Sequence, residues 1–271
     1  MKRFFFLVAM MLLVCVATIA QGKKVVAIEE FTYNNSIETN WVEALRNNII
    51  AGITNTGRMN VMDVRTLSSL PSAKEERLAA LAEIGVYAIL SCHFNSLKTG
   101  MDKDRKYWTC TSNYTITLTE AGGAIISTTP FENTWLVGDN STNAINKCLE
   151  KTTKDMRRFI DNNFKAEAVI KQLDQVDEKK GVITAYVNVG SNVGIIAGQM
   201  FEIREELEVA GEKASRRVGT AKAMEVVSGT LTLVKVTEGG VNVKRTYDAG
   251  RKLIVITRDK DPIFGIDKIF K

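Results

Sequence analysis

The chain has 271 residues, of which 45% are hydrophobic and 25% charged, the proportions of an ordinary globular protein and not of a disordered one. That length admits one large domain or two of ordinary size, at about 100–200 residues each. The formal charge of +5 is too small and too dispersed for a nucleic-acid footprint, and one histidine leaves little for histidine-based catalysis or metal binding.

Lys2 and Arg3, followed by the apolar run from Phe4 to Val16 and by Thr18-Ile19-Ala20, read as a signal peptide over residues 1–20, cut before Gln21. The run is shorter than the roughly 20 residues a spanning helix needs. Cys15 offers a lipid-anchored alternative, although Val14 stands where lipoprotein signals place Gly, Ala or Ser. Without the leader's Lys2 and Arg3 the net charge is about +3. The remaining cysteines, Cys92, Cys110 and Cys148, allow one pair with a free thiol, or three buried thiols. None lies in a Cys-x-x-Cys spacing, which argues against structural zinc and thioredoxin-type chemistry.

Lys24-Val-Val-Ala-Ile-Glu-Glu-Phe31 is a short apolar run that predicts a strand buried on both faces. Asn40 and Glu43 have capping-box spacing, Trp41, Leu45, Ile49 and Ile53 recur at helical spacing, and Gly57 sits where a helix ends. Met59 to Val64 is strand-like. Ser72 and Glu75 repeat the capping box before a second helix, with Leu78, Leu81 and Ala82 on its buried face and Gly85 closing it. Val86 to Phe94 is an interior strand, and the polar stretch Asn95 to Lys106 reads as a hairpin connection. Tyr107 to Glu120 alternates Tyr114, Ile116 and Leu118 with threonines, a strand that returns through Ala121-Gly122-Gly123 as Ala124 to Val137. A hairpin centred on Met101 would set Cys92 opposite Cys110, unless a bulge shifts the register. Ser141 to Phe164 is the longest helix pattern, with Ile145, Cys148, Leu149, Thr152, Met156, Phe159, Ile160 and Phe164 on one face. Together these predict an α/β (α+β) unit over 23–165, a mixed sheet flanked by helices.

Beyond Val169 the pattern changes to short strands broken by glycines, which predicts a small all-β barrel over 167–258. Residues 259–271 form a tail with Ile263, Phe264, Ile266, Ile269 and Phe270, apolar enough to pack on its own barrel or dock on a partner.

No catalytic, cofactor-binding or metal-ligating residue is assigned, and the chain is expected not to be an enzyme. Gly190, Gly194 and Gly198 lack the Gly-Lys-Ser/Thr of a phosphate loop and read as barrel corners. His93 adjoins Cys92, but strand neighbours point to opposite faces, so a structural histidine is expected. Glu29-Glu30 and Glu205-Glu206 read as solvated strand-end charges, and Arg216-Arg217 and Lys244-Arg245 as solvated loops.

The first unit resembles the curli secretion lipoprotein (CsgG) superfamily, which includes LpoB and the N-terminal domain of TolB. The resemblance rests on Lys24 to Phe31 as an opening strand ending in an aromatic, and on Leu45 to Gly57 with Arg58-Met-Asn-Val-Met-Asp63. Ala82-Glu-Ile-Gly-Val-Tyr-Ala-Ile-Leu90 and the return strand Tyr114 to Glu120 continue it. Tyr87 stands where the family commonly has Asp, and neither Asn95–Lys106 nor Glu132–Asn140 holds the strands of a membrane hairpin. The second unit is similar to the C-terminal barrel of flagellar T-type accessory proteins, through Val187 to Ile203, Gly219 to Val227 and Ala249-Gly250. These resemblances imply a non-catalytic envelope protein, periplasmic or associated with the outer membrane. It would serve as accessory or scaffold in an assembly or secretion system, with other envelope proteins as partners, no nucleic acid, and peripheral or lipid-anchored membrane association. A secretion-channel subunit is the alternative they imply.

Overall fold

A computed structural model of the protein describes residues 23–102, 104 and 106–258. The expected signal peptide with Cys15, and the apolar tail of 259–271, lie outside the described residues. The fold is a mixed sheet flanked by helices, followed by a closed antiparallel barrel.

The sheet contains β1 (Lys24–Ile28), β2 (Thr32–Tyr33), β3 (Met59–Asp63), β4 (Val86–Asp102), β5 (Tyr107–Glu120) and β6 (Ile125–Gly138). Its order is β3-β1-β4-β5-β6, with β2 pairing a stretch of β4. β1 runs parallel to both β3 and β4, while β4, β5 and β6 are successive antiparallel partners. β1 is central, so Val26 and Ile28 enter the core on one face and Ala27 on the other, as its uninterrupted apolar run requires.

Helices α1 (Thr39–Asn55) and α3 (Ser141–Asn163) pack on each other and cover one face, while α2 (Lys74–Glu83) seats Leu81 on the other. The predicted apolar stripe of α3 is its buried face, and Asn140 caps the helix by accepting from the Asn143 amide at 2.8 Å. The two capping boxes do not form. Glu38 and Ala73 stand at the N-caps of α1 and α2 without side-chain hydrogen bonds, and Glu43 binds Arg65 instead. A guanidinium competes for that carboxylate with a charge-assisted bond, roughly twice the strength of a neutral one.

The stretch from Asn95 is not a connection. β4 continues through it to Asp102, which pairs with Tyr107 across a turn. From Ser96 to Asp102 each residue pairs in turn with Asn113 back to Tyr107, so the segment is a strand in spite of its charge. A bulge at Asn95 shifts the pairing between Phe94–Tyr114 and Ser96–Asn113. Cys92 therefore faces Ile116, and Cys110 faces Thr99; the expected opposition of Cys92 and Cys110 is overturned by both the longer strand and the bulge.

The barrel comprises β7 (Glu167–Asp177), β8 (Gly181–Val187), β9 (Met200–Val209), β10 (Glu212–Val226), β11 (Thr232–Glu238) and β12 (Leu253–Arg258), closed in the order β10-β11-β8-β7-β12-β9. Phe201, Ile203, Ala185, Val187, Ala221 and Val255 fill its interior. A short helix that the glycine-punctuated pattern concealed, α4 (Gly240–Asp248), buries Val243 in that core. Gly239 enters it at φ +77°, and a Cβ there would stand 2.1 Å from the Val218 carbonyl oxygen.

Candidate functional site

Sheet unit and barrel meet around Arg58, the residue just before β3. Its side chain is buried, and it forms an ion pair with Asp161 of α3 at 2.9 Å. Its nitrogens also donate to the Phe164 carbonyl, the Thr257 hydroxyl and the Gln199 side-chain oxygen, each at 3.3 Å. One guanidinium thus holds α3, the β9 entry and β12 together. Burial pulls the Arg58 pKa down, while Asp161 pushes it back and Arg157 adds to the fall. The link between the units is pinned beside it, since the Ala166 amide donates to the Thr257 hydroxyl and the Thr257 amide to the Ala166 carbonyl.

The corner of Gly190, Gly194 and Gly198 lies at the same junction, with strands on both sides and a single 3₁₀ turn within it. A Cβ on Gly194 would stand 1.9 Å from the Thr56 carbonyl oxygen, and the glycine is held at φ +71°. It is there so that two backbones can touch. Its own carbonyl accepts from Arg157 at 3.1 Å.

Two clefts share this node. One, of about 550 Å³, is lined by Lys23, Lys24, Arg58, Lys165 and Glu167 with Asn162 and Asn163. Lys24 is further held 3.7 Å over the ring of Tyr87, which meets Phe164 edge-on. The other, of about 250 Å³, is lined by Lys154, Arg157, Arg158, Arg258, Asp161 and Gln199. Cations outnumber acids in both. Among the described residues no group of three or more His, Cys, Asp or Glu is placed to hold a metal ion.

The weighed pairs separate. His93 is exposed, its ring Nδ1 2.8 Å from the Thr32 hydroxyl, while Cys92 is buried on the opposite face and its thiol is pushed up to about 12 by burial. Glu29 pairs with Arg77. Glu205 is not a solvated end charge: it points into the barrel, fully buried, and accepts from Arg216 at 2.5 Å and Arg251 at 2.6 Å. Those bonds, Arg251's first, hold its carboxyl below the ordinary range. Arg216 and Arg217 lie on strand β10, and Lys244 and Arg245 on α4, not in loops. Strand alternation from Phe201 through Ile203 would have placed Glu205 inside.

The third feature is the antiparallel wing, where β6 is an edge strand with Ile125, Leu136 and Val137 exposed. Trp135, Leu136, Val137, Thr134 and Lys151 line a shallow cleft of about 290 Å³ there, and the Lys151 ammonium donates to the Thr134 carbonyl. No helix among the described residues is long and apolar enough to cross a membrane.

No family model and no curated protein matches the chain. Solved structures similar to it include lipoprotein GNA1162 from Neisseria meningitidis, at 9% identity over 49% of this chain and 96% of that one, with a TM-score of 0.36. The C-terminal domain of LpoB from Salmonella enterica is similar at 16% identity over 46% and 90% of the two chains, with a TM-score of 0.28. TolB from Acinetobacter baumannii is similar at 8% identity over 79% and 60%, with a TM-score of 0.27. At these identities and scores the likenesses carry no statement about what this chain does.

Proposed function

We propose that the chain is an exported, non-catalytic envelope protein, an accessory or scaffold in a periplasmic or outer-membrane-associated assembly, that takes another envelope protein on the free edge of its antiparallel wing. The observation that carries this reading is β6. It is a long edge strand that exposes Leu136 and Val137 beside an apolar cleft. An unpaired edge with apolar side chains beside it offers backbone hydrogen bonds and pockets to an added strand.

The channel alternative asks for two strands of about 9–11 residues with one lipid-facing side. Past the Asn95 bulge the β4–β5 hairpin continues only as Ser96–Asp102 paired with Tyr107–Asn113, and it carries Lys98, Asp102 and Asp104. Discrete currents from purified protein in planar bilayers would revive that alternative.

A photo-reactive amino acid placed at Leu136, with one at the exposed Met224 of the barrel as control, tests the edge in intact envelopes. One discrete adduct through position 136 and none through 224 is expected. Equal labelling from both positions, or none from 136, rejects the assignment.

A further inference from the structure

Cys110 of β5 and Cys148 of α3 are both buried, and both belong to the core between the sheet and α3. Cys148 also donates to the Asn133 carbonyl at 3.0 Å and lies 3.5 Å from the Ser112 hydroxyl. Ser112 is two residues from Cys110 on the same face of β5, so the helix sets Cys148 directly over this stretch of strand. Cys92 lies elsewhere, opposite Ile116. We infer that Cys110 and Cys148 form a disulfide when the chain folds in the presence of a disulfide oxidant, and that Cys92 remains the free thiol.

The bond draws together, to about 2.05 Å, two sulfurs buried over the same stretch of the sheet–helix interface. The oxidant is itself a disulfide, either a small one such as oxidised glutathione or that of a thiol oxidoreductase. The Cys148 thiolate attacks one of its sulfurs, forming a mixed disulfide and releasing the first thiol. The Cys110 sulfur then attacks Cys148 Sγ and releases the second. The protein loses two protons and two electrons, and the oxidant gains both as two thiols. Either cysteine can make the first attack while the chain is still open to the oxidant. Both sulfurs are sealed in the finished fold, so the exchange belongs to folding and the product is afterwards shielded from soluble reductants. This pairing is independent of the edge-strand proposal, which concerns a different surface.

The test uses the full chain, reduced and unfolded, then refolded in a mixture of oxidised and reduced glutathione. It is next denatured in acid, alkylated with N-ethylmaleimide and mapped by mass spectrometry. The expected map shows peptides of Cys110 and Cys148 joined with loss of two hydrogens, maleimide on Cys15 and Cys92, and alkylation of Cys15, Cys92, Cys110 and Cys148 after prior reduction. Maleimide on Cys110 and Cys148 without reduction, or any link through Cys92, overturns the pairing. Because the wild-type chain gives the readout, no variant needs to fold; Cys110→Ser, where it folds, should leave Cys148 open to maleimide.

Discussion

In the barrel each strand has a neighbour on both sides, so no backbone edge is left open, and the charge it buries is an anion, Glu205. In the sheet unit the edge β3 is short, whereas the edge β6 is long, and the buried charges are two arginines with one aspartate, Asp161. Arg46 of α1 reaches the Ile28 carbonyl at 3.1 Å and Asp63 at 2.6 Å, and Arg58 reaches across to the barrel. The contrast separates two uses of the same materials. Closure removes the hazard of an open edge and makes a self-sufficient body. The open sheet keeps an edge available, and commits an interior cation to hold the closed body beside it.

The strongest way to break this arrangement is Arg58→Ala. Removing one member of a buried charged network strands the other, at a cost of about 3–5 kcal/mol. Asp161, Gln199 and Thr257 would lose their shared partner, so calorimetry should show a single unfolding transition splitting into two; one unchanged transition would show that the units do not depend on this node. Gly194→Ala strikes the same junction by steric means, since its Cβ would enter the Thr56 carbonyl. Overpacking of this kind costs about 1–3 kcal/mol, and the left-handed backbone about 1–2 more, read as a lowered midpoint in urea.

Acid sharpens the difference between the units. Glu205 has a folded-state pKa below its ordinary 4.5, so its contribution is complete above that value and is lost as pH falls through the lower one. Glu205→Gln should remove this part of the acid sensitivity, and an unchanged midpoint-against-pH curve between wild type and variant would place the sensitivity elsewhere. The smallest expected effect on stability is that of Leu136→Lys with Val137→Lys. Both residues are exposed, so the melting behaviour should move by no more than about 0.5 kcal/mol. Capture of the partner from envelope extract by the purified protein should nonetheless disappear, and a large loss of stability would mean that the edge belongs to the protein's own packing.

Much of the fold was legible because burial leaves a period. The α3 stripe, the doubly buried β1 and the threonine alternation of β5 each follow from which faces are covered. The misreadings have physical causes as well. Asn95 to Asp102 pairs with β5 as a strand, but its polar letters and the bulge at Asn95 leave no apolar alternation, so it reads as a loop. The first capping box has the right letters, but Glu43 is held by Arg65 and the Asn40 side chain accepts from the neighbouring Trp41 amide. α4 is too short and too polar to show more than Val243 and Thr246 as a face. The junction could not be read at all: Arg58, Gln199 and Thr257 are far apart in the chain and carry no local signature. The glycine at 194 was the one residue there whose presence asked for an explanation.

The Arg58 node has a consequence for the order in which the molecule is made. The arginine enters the chain early, whereas Gln199 comes late and Thr257 lies on the last strand. A chain stopped short of β12 can give Arg58 its Asp161 and its Phe164 carbonyl, but not the Thr257 hydroxyl. Until then the guanidinium must keep water in that place, and the Ala166 amide lacks the hydroxyl that later pins it. The sheet unit is therefore assembled with a wet, unfinished flank that only β12 dries, so the arrival of a strand made 199 residues later is registered as the burial of Arg58.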